Sequence, residues 1–355
     1  MVIFGGASPE YFATCTYAAS ILEAIDEKKY HVHRVGVTQS GAWYLTEAPL
    51  EAIADGESWV KDPSNKKAIL SPDREDQCLL IFDGDTVKKQ KIDVVFPFIM
   101  GETGEDGAIQ GLLQMADIPW VGSNVCASAC GMDKGISMIF SDLCGFKRPE
   151  YYICQSADFL TQPKAVAENI VAFFRSHVGE EFYPIFVKPA TTGSSIGISK
   201  VQSYDELMAA LEMAAPYSFS IIIEQGIVGR ELKVAVLGNE NPITGECCEI
   251  EVKNGIFNTY EMKYKVHDSH KKIPAELPEN VIEDLKNKAI MIYRKMGCSG
   301  FARVDFFVTD DMEIVFNEIN TEPGFGRSSI FSQMFAAQGL TYEQVVDKLL
   351  DTANK

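Results

Sequence analysis

Short apolar runs alternate with amphipathic segments over the first third of the chain. Residues 2–4 and 94–99 are nearly continuous apolar runs, whereas the apolar residues within 17–25 recur at the spacing of a helix. A run that is apolar on both faces is typical of a parallel strand covered on both sides, although Pro97 should end the pairing of the second run early. The alternation therefore predicts an open, mostly parallel α/β domain over residues 1–122.

The remainder of the chain mixes longer helices with strands. Predicted helices span residues 123–144, 165–175, 204–214 and 279–296, and predicted strands span residues 184–188, 221–223, 233–237, 249–252, 302–307 and 314–319. Ser203 is expected to cap one helix, and Thr341 with Gln344 has the spacing of a capping box before a final helix. The change in pattern separates this part of the chain from the α/β domain at residues 1–122.

The strongest chemical signal is a pair of predicted strands with polar residues at alternating positions. Side chains in a strand alternate between its two faces, so Arg303 and Asp305 share one face, and so do Glu318 and Asn320. A hairpin register that sets Asp305 opposite Glu318 also sets Arg303 opposite Asn320 and closes a four-residue turn after position 309. The four polar side chains then lie together, and their apolar neighbours point into a core.

That polar face has the donor chemistry of a divalent-cation site. Two facing carboxylates repel each other unless a cation lies between them, and Mg²⁺ is bound by carboxylate and amide oxygens together with substrate phosphates. The alternative is a solvated hairpin whose charges have no such purpose. The restriction of the polar groups to one face of two otherwise apolar strands favours the metal site.

A second signal follows the predicted strand that ends at Lys188. Residues 193–197 form a loop of Gly and Ser with one Ile, and the N–H groups of such a loop can wrap a phosphate. The loop is not a Walker A motif, because no Gly-Lys-Ser or Gly-Lys-Thr occurs in the chain. An ordinary hairpin turn is therefore the alternative.

Six further charged residues are candidates for an anion or nucleotide site, although each of them alone is more typical of a protein surface. They are Glu10, Glu105, Lys134, Glu224, Glu231 and Lys263. Glu10 and the loop 101–107, which contains Glu105, follow predicted strands. In open α/β sheets, ligands bind at the carboxyl ends of the strands.

The composition disfavours several classes of function. The chain has 355 residues, with 32 Lys and Arg against 50 Asp and Glu, and its net charge of −18 disfavours general binding to nucleic acid or to anionic membranes. An anionic ligand must therefore meet a local cluster of basic residues. The sequence shows neither a membrane span nor the pattern of a secretion signal. The 9 Cys and 5 His lack zinc-ligand spacing, and we expect reduced thiols in the cytoplasm.

Taken together, these residues resemble the D-alanine–D-alanine ligase family of the ATP-grasp fold. The matching stretches follow the order of the family and cover nearly the whole chain: residues 5–10, 104–107, 131–134, 188–197, 263–264, 297–305 and 317–324. Residues 35–44 and 314–325 are especially similar to the D-alanine–D-serine ligases of vancomycin resistance. The resemblance implies three domains, at 1–122, 123–226 and 227–355. The first is the α/β domain, the other two have α+β character and form the ATP-grasp fold, and ATP is held between the second and third.

The resemblance also implies a role for each matching residue. The residues implied to bind ATP are Lys134, Lys188, Glu224, Glu231 and Lys263. Those implied to hold two Mg²⁺ ions, or Mn²⁺ in their place, are Asp305, Glu318 and Asn320. Those implied to act in catalysis are Glu10, Ser194, Tyr264, Arg303 and Gly324, and those implied to bind the amino-acid substrates are Glu105 and Ser329.

The implied activity is ATP-dependent ligation of D-alanine to D-alanine or D-serine through an acyl phosphate, for peptidoglycan precursors, by a cytoplasmic homodimer. Ester-forming members of the family usually carry His where this chain has Tyr264, so an amine acceptor is expected instead of D-lactate. Two alternatives stay open: an ATP-grasp ligase for other small amino acids, and a nucleotide-binding protein without turnover. The intact set of metal and phosphate residues argues against the second alternative.

The sequence departs from the family pattern at both amino-acid subsites. The family usually has His before Gly101, where this chain has Met100, and a thioether cannot donate a hydrogen bond. Thr14 and the residue before it replace a usual Val-Ser pair. Ser329 aligns with the serine that holds the carboxylate of the second substrate, and Arg327 is a second candidate for that role.

Overall fold

The computed structural model describes residues 1–193, 196–251 and 270–353. The strands of the described residues are β1 Val2–Gly5, β2 Arg34–Val37, β3 Trp43–Thr46, β4 Lys66–Leu70, β5 Cys78–Asp83, β6 Thr86–Lys91, β7 Phe96–Pro97, β8 Tyr151–Gln155, β9 Ile185–Pro189, β10 Ser199–Val201, β11 Ser220–Gln225, β12 Arg230–Leu237, β13 Ile243–Thr244, β14 Cys248–Glu251, β15 His270–Lys272, β16 Phe301–Val308 and β17 Ile314–Asn320. The α-helices are α1 Tyr11–Ala24, α2 Leu50–Asp55, α3 Ala108–Ala116, α4 Val125–Met132, α5 Lys134–Leu143, α6 Ser156–Thr161, α7 Pro163–His177, α8 Tyr204–Ala214, α9 Glu279–Lys295, α10 Ile330–Ala336 and α11 Tyr342–Asp351.

The first sheet is mixed. Its strand order is β6-β5-β4-β3-β2-β1-β7, in which β1 pairs in parallel with β2 and β7. The pairs from β2 to β6 are antiparallel. The α/β class is confirmed, but the prediction of a mostly parallel sheet is wrong. Strands β4, β5 and β6 are joined by short connections, and such connections allow antiparallel pairing alone.

Two boundaries in this part of the chain differ from the predictions for physical reasons. The apolar run 94–99 contributes only the two residues of β7 as a strand, which ends at Pro97. The N–H of Phe98 still donates to the carbonyl of Ile3, so the backbone contact with β1 extends one residue further. The single helix predicted at 123–144 is two helices, α4 and α5, which meet at Asp133. Asp133 accepts a hydrogen bond from the N–H of Ile136 and thereby caps α5.

The second sheet, β10-β9-β11-β8, is antiparallel and packs against α7 and α8. Ser203 caps α8 by accepting a hydrogen bond from the N–H of Glu206, as predicted. The predicted capping box of Thr341 and Gln344 is likewise present at the start of α11. In both cases the spacing of polar residues before an apolar segment was sufficient to predict the cap.

The third sheet carries the polar hairpin in the predicted register. Its strand order is β15-β14-β12-β16-β17, with β13 beside β12. Asp305 lies opposite Glu318, and Arg303 lies opposite Asn320. A bulge between Asp305 and Phe306 shifts the pairing beyond it, so the N–H of Thr309 donates to the carbonyl of Glu313. The turn therefore has three residues, 310–312, and the predicted four-residue turn is wrong.

The hydrophobic cores explain why the polar faces meet. On the reverse face of the hairpin, Val304 and Ile319 pack in a core with α9. A second core joins the first sheet to the third, with Phe96 6.3 Å from Phe301 between ring centroids and stacked 6.3 Å from Phe325. This contact holds the carboxyl ends of β1 and β7 beside the polar face of β16 and β17.

None of the helices within residues 1–193, 196–251 and 270–353 has both the length and the apolar character that crossing a bilayer requires.

Candidate active site

The polar face of the β16–β17 hairpin forms one wall of a cavity of about 420 Å³. Arg303 donates from Nε to Asp305 Oδ1 at 2.7 Å and from Nη2 to Asp305 Oδ2 at 3.0 Å. The same Nη2 lies 3.7 Å from Glu318 Oε1. Asp305 is 1% exposed, whereas the Glu318 side chain is 33% exposed. The predicted convergence of these side chains is confirmed, with Asp305 in the interior and Glu318 at the cavity.

A lysine that the sequence analysis did not select completes this charged group. Lys233 on β12 donates from Nζ to Asp305 Oδ2 at 2.6 Å and to Glu231 Oε1 at 2.7 Å. Burial alone would raise the pKa of Asp305, but the charges of Arg303 and Lys233 hold that pKa far below its usual value. Lys233 shares a strand face with Glu231, two residues earlier, and this alternation was the signal that could have identified it.

The cavity gathers charge from many parts of the chain. Among the described residues, the charged ones that line it are Glu10, Glu105, Lys134, Lys233, Lys271, Arg303 and Glu318. In this described lining, four basic residues therefore face three acidic ones, although the whole chain has a net charge of −18. This is the local cluster of basic residues that an anionic ligand requires.

Carboxylates gather at the end of the cavity beside the first sheet. Glu10, directly before α1, and Glu105 are each 8% exposed, and Glu322 behind them is 6% exposed. Burial, followed by the charge of Glu10, raises the pKa of Glu105 well above its usual value. Burial, followed by the charge of Glu105, does the same to the pKa of Glu322, whose Oε1 accepts a hydrogen bond from the N–H of Ile99 at 2.7 Å. A cationic group would relieve this crowding of acids.

The departures at Met100 and Thr14 are linked in the structure. Thr14 Oγ1 accepts a hydrogen bond from the N–H of Met100 at 3.2 Å, and Ser8 Oγ donates to the carbonyl of Met100 at 2.6 Å. The thioether of Met100 lines the cavity. Thr14 therefore positions the backbone of Met100, because its hydroxyl oxygen is the acceptor for the N–H of that residue.

One side of the cavity is closed by the segment that follows β9. Lys134, the first residue of α5, donates from Nζ to the carbonyl of Thr192 at 2.6 Å. A Cβ atom at Gly193 would lie 3.1 Å from Glu10 Oε2, so this segment passes directly over Glu10. The loop after Lys188 thus lies at the cavity, where the sequence predicted a phosphate-binding loop.

Lys188 and Glu224 face each other on the neighbouring strands β9 and β11, outside the cavity lining. Lys188 Nζ lies 2.5 Å from Glu224 Oε2, and both side chains are nearly buried. Glu224 Oε1 is buried without a hydrogen-bond partner. A buried acceptor without a partner is costly, so this oxygen is suited to a ligand that brings a hydrogen-bond donor.

Gly324 and Ser329 lie at the cavity wall beside α1. Tyr17 also lines the cavity, although it was not predicted from the sequence. Its ring packs against Gly324, where a Cβ atom would lie only 3.1 Å from it. Glu10, Thr14 and Tyr17 follow one another at helical spacing, which was the available signal. Ser329 caps α10 by accepting a hydrogen bond from the N–H of Ser332, and it also lines the cavity.

The structure places Arg327 away from this site. Its Nε lies 3.2 Å from Glu23 Oε2, its Nη1 pairs with Glu343, and its guanidinium lies 5.2 Å from the ring centroid of Tyr342. These contacts hold Arg327 at the surface. The hypothesis that Arg327 shares the role of Ser329 is therefore not supported, because its charge is already paired outside the cavity.

Three predicted site residues, Ser194, Lys263 and Tyr264, lie outside the described residues. Within the described part of the chain, no group of three or more His, Cys, Asp or Glu side chains is arranged to hold a metal ion. On the β16–β17 side of the cavity, the described lining includes the carboxylate of Glu318 and the amide of Asn320. Carboxylate and amide oxygens suit Mg²⁺, so this pair fits a divalent cation that is also bound by substrate phosphates.

Comparison with known proteins gives the family of the chain. The model described as D-ala D-ala ligase N-terminus matches residues 1–123, and the model described as D-ala D-ala ligase C-terminus matches residues 143–351. A D-alanine--D-alanine ligase of Acetivibrio thermocellus is 38% identical, over 99% of this chain and 95% of the relative. The vancomycin B-type resistance protein VanB of Enterococcus faecalis is 37% identical, over 99% of this chain and 97% of the relative.

Among solved structures, the VanG D-Ala:D-Ser ligase from Enterococcus faecalis has a TM-score of 0.88 and 35% sequence identity, over 99% of this chain and 97% of the other. The D-alanine-D-alanine ligase from Coxiella burnetii has a TM-score of 0.82 and 28% identity, over 99% of this chain and 92% of the other. Sequence and structure agree over nearly the full length of the chain. The protein belongs to the D-alanine–D-alanine ligase family.

Proposed function

We propose that the protein is an ATP-dependent ligase that joins D-alanine to a second D-amino acid, D-alanine or D-serine, for peptidoglycan precursors. The cavity is the observation that carries this proposal. Buried carboxylates that suit an ammonium group and cations that suit a phosphate line the same space, and most of them occupy the positions that match the family. A carboxylate is a poor acylating agent, so its conversion to an acyl phosphate by ATP precedes attack by an amine.

In this proposal, the nucleotide is bound by residues of β9, β11 and β12. Glu224 Oε1, which lacks a partner in the protein, accepts a hydrogen bond from the adenine amino group. Glu231 binds the ribose, and the ammonium groups of Lys134 and Lys188 neutralise the phosphates. Lys263, outside the described residues, approaches the γ-phosphate. Lys188 leaves its present partner, Glu224, to reach a phosphate.

Glu318 and Asn320, with Asp305 beside them, are the residues that would hold Mg²⁺. The ion would neutralise charge on the phosphates during phosphoryl transfer. The fit is supported by the position of both donor side chains at the cavity and by the partial exposure of Glu318.

The two amino acids are bound at opposite ends of the cavity. Glu10 and Glu105 face the ammonium group of the first, and the raised pKa of Glu105, caused by burial and by Glu10, is relieved by that positive charge. Ser329 binds the carboxylate of the second. Arg303 and the N–H of Gly324 stabilise the oxyanion that forms when the amine attacks. Ser194 and Tyr264 act with Glu10 to close the site.

Three further features belong to this proposal. We infer domains at 1–122, 123–226 and 227–355, because the described strands of each sheet fall within one of these ranges. We also infer a cytoplasmic homodimer that binds D-amino acids and ATP, which is supported by membership of the family. Light scattering of the purified protein tests the dimer.

Release of ADP tests the proposed activity. Purified protein with ATP and Mg²⁺ is assayed with single and paired D- and L-amino acids and with D-lactate, and products are identified by mass. We expect ADP release with D-alanine alone or with D-serine, and a dipeptide product. ADP release that ignores the amino acid, or that requires L-amino acids, would contradict the proposal.

A matched pair of variants assigns the activity to the cavity. Arg303→Gln removes the guanidinium beside the reacting carbonyl, and loss of one such donor typically lowers the rate by about 10²–10³. Arg74→Gln removes an exposed arginine outside the cavity lining, which pairs with Asp117. We expect a normal rate for the second variant, and circular dichroism should show that both are folded.

A further inference from the structure

Lys233 has no role in the reaction as described above, although it lies at the centre of the proposed metal-binding face. Its position on β12 is directly opposite Asp305 on β16. Its side chain is 9% exposed and lines the cavity. Lys233 Nζ lies 2.6 Å from Asp305 Oδ2 and 2.7 Å from Glu231 Oε1, so it bridges the two carboxylates. A buried ammonium group with two short contacts to carboxylates is a fixed positive charge.

The contacts to Asp305 limit what else this carboxylate can bind. Its Oδ2 accepts from Lys233 Nζ at 2.6 Å and from Arg303 Nη2 at 3.0 Å, which uses both lone pairs of that oxygen. Its Oδ1 accepts from Arg303 Nε at 2.7 Å. A Mg²⁺ ion bound at about 2.1 Å from Oδ2 would have to displace an ammonium group from the same oxygen. Two cations would otherwise repel each other at close range.

The exposure of the side chains on this face points the same way. The Asp305 side chain is 1% exposed, whereas the Glu318 side chain is 33% exposed. Glu318 and Asn320 line the cavity, and Asp305 is not among the described residues of its lining. The accessible oxygens of this face therefore lie at Glu318 and Asn320.

We propose that Lys233 takes the place of one of two divalent cations, so that the protein binds a single ion with its nucleotide, at Glu318 and Asn320. The proposal rests on the proposed function, because it assumes that this face binds a nucleotide with a divalent cation. It goes further by assigning a number of ions that differs from the two implied by resemblance to the family. It also gives Lys233 a positioning role: its ammonium ties the metal-site carboxylate of Asp305 to the nucleotide-site carboxylate of Glu231.

Counting bound Mn²⁺ tests this assignment without reliance on turnover. The full-length protein is titrated with Mn²⁺ in the presence of the non-hydrolysable nucleotide adenosine 5′-(β,γ-imido)triphosphate. Bound ions are measured by loss of the free Mn²⁺ signal in electron paramagnetic resonance, against nucleotide without protein. We expect one Mn²⁺ per wild-type chain and two per chain of Lys233→Met, because the methionine opens Asp305 to a second ion.

Two control variants separate charge from other effects. Lys233→Arg keeps the positive charge and should bind one ion, and Lys286→Met removes a lysine outside the cavity lining, which pairs with Glu246, and should also bind one. Two ions per wild-type chain would overturn the assignment even if Lys233→Met failed to fold. One ion in both the wild type and Lys233→Met would also overturn it, since the lysine would then not set the number.

The ion count and the ligase assay are independent of each other. A protein that binds one Mn²⁺ with nucleotide but makes no dipeptide would refute the proposed ligation and leave the role of Lys233 standing. Absence of Mn²⁺ binding with the nucleotide would overturn both.

Discussion

Asp305 and Glu318 face each other on neighbouring strands, but their surroundings differ strongly. Asp305 is enclosed by Arg303 and Lys233, whereas Glu318 is partly exposed at the cavity. Asp305→Asn should therefore lower the free energy of unfolding by on the order of 3 kcal/mol, because it leaves two buried cations without their carboxylate. Glu318→Gln should change the stability little, while both variants lose ADP formation.

Urea denaturation and ADP release of the two variants check this prediction. The two measurements should separate, with both variants inactive and only Asp305→Asn destabilised. Equal stability of the two variants would show that the ion pairs of Asp305 do not support the fold.

A pH-dependent prediction belongs to Glu105. Burial and the neighbouring Glu10 raise the pKa of this carboxyl in the folded protein, whereas Arg303 and Lys134 oppose the shift. The folded state then holds a proton that the unfolded state releases, so the contribution to stability is present below the ordinary pKa and is lost as the pH rises. Glu105→Gln does not titrate, and its stability relative to the wild type should increase between about pH 5 and about pH 8.

Urea denaturation at both pH values measures this difference. Glu102→Gln, three residues earlier in the same loop and exposed, is the control for replacing a carboxyl by an amide without removing a buried one. A constant difference for Glu105→Gln would mean that its carboxyl is ionised in the folded protein throughout.

At the scale of residues, alternation along a strand was enough to predict that Arg303, Asp305, Glu318 and Asn320 converge. The same rule applied to β12 would have selected Lys233, because it shares a strand face with Glu231, two residues earlier. Its other partner, Asp305, lies 72 positions away and becomes a neighbour only through the pairing of β12 with β16. The surface position of Arg327 was unpredictable for the same reason, because Glu23 lies 304 positions away.

Among the elements, the loop between β7 and α3 has a strict steric requirement. A Cβ atom at Gly104 would lie 1.6 Å from the carbonyl oxygen of Ile99, so any side chain forces the loop to move. Gly104→Ala should cost about 1–3 kcal/mol and should also weaken binding of the first amino acid, since Glu105 is adjacent. Gly111 lies within α3 with no atom close to its Cβ position.

Gly111→Ala is therefore the matched control. Alanine is favoured over glycine inside a helix by about 0.5–1 kcal/mol, so this variant should be more stable than the wild type. Thermal denaturation and the KM for the first amino acid check both variants. A stable Gly104→Ala with a normal KM would show that the loop has room that the structure does not indicate.

Two helix caps provide a second test at this scale. Ser329 caps α10 and Thr341 caps α11, each through a hydrogen bond to a backbone N–H. Replacing either by alanine should cost about 1 kcal/mol. Only Ser329→Ala should raise the KM for the second amino acid, because Ser329 also lines the cavity. Equal KM values for the two variants would assign Ser329 to the helix alone.

The elements that the sequence did not predict have a physical feature in common. Strand β6 is exposed at nearly every residue and rich in lysine, so it shows no alternation of apolar and polar positions. Its backbone pairs with β5 over six residues at the edge of the sheet, where charged side chains are favoured. Long helices with apolar stripes, such as α9, were predicted to within one residue because burial of one face fixes their pattern.

For the molecule as a whole, nucleotide binding should stabilise the fold. A ligand at about 100 times its Kd adds about 2.7 kcal/mol to the free energy of unfolding. Glu224 Oε1 is buried without a partner in the protein. In the proposed function it accepts a hydrogen bond from the amino group of adenine, whereas guanine presents a carbonyl oxygen there. The imido analogue of ATP with Mg²⁺ should therefore raise the Tm more than the same analogue of GTP. Equal shifts would exclude Glu224 from base recognition.

The cavity itself could be predicted only in part. Each charged residue of its lining except Lys233 and Lys271 was selected from the sequence, yet its shape depends on aromatic contacts between the first and third sheets. Those contacts join residues such as Phe96 and Phe325, which look like ordinary core positions in the sequence. The relative placement of whole sheets is a property of such packing, and no local pattern encodes it.

The cluster of basic residues inside an acidic molecule has a kinetic consequence. At about 0.01 M salt, charges act over about 30 Å, so a nucleotide that is still outside the cavity meets the field of a chain with a net charge of −18. It is attracted only after it has come close to the four basic residues of the lining. Added salt weakens the outer repulsion before it weakens the inner contacts. The rate of encounter with ATP should therefore rise with ionic strength at low salt, opposite to the behaviour of enzymes that steer their substrates by long-range attraction.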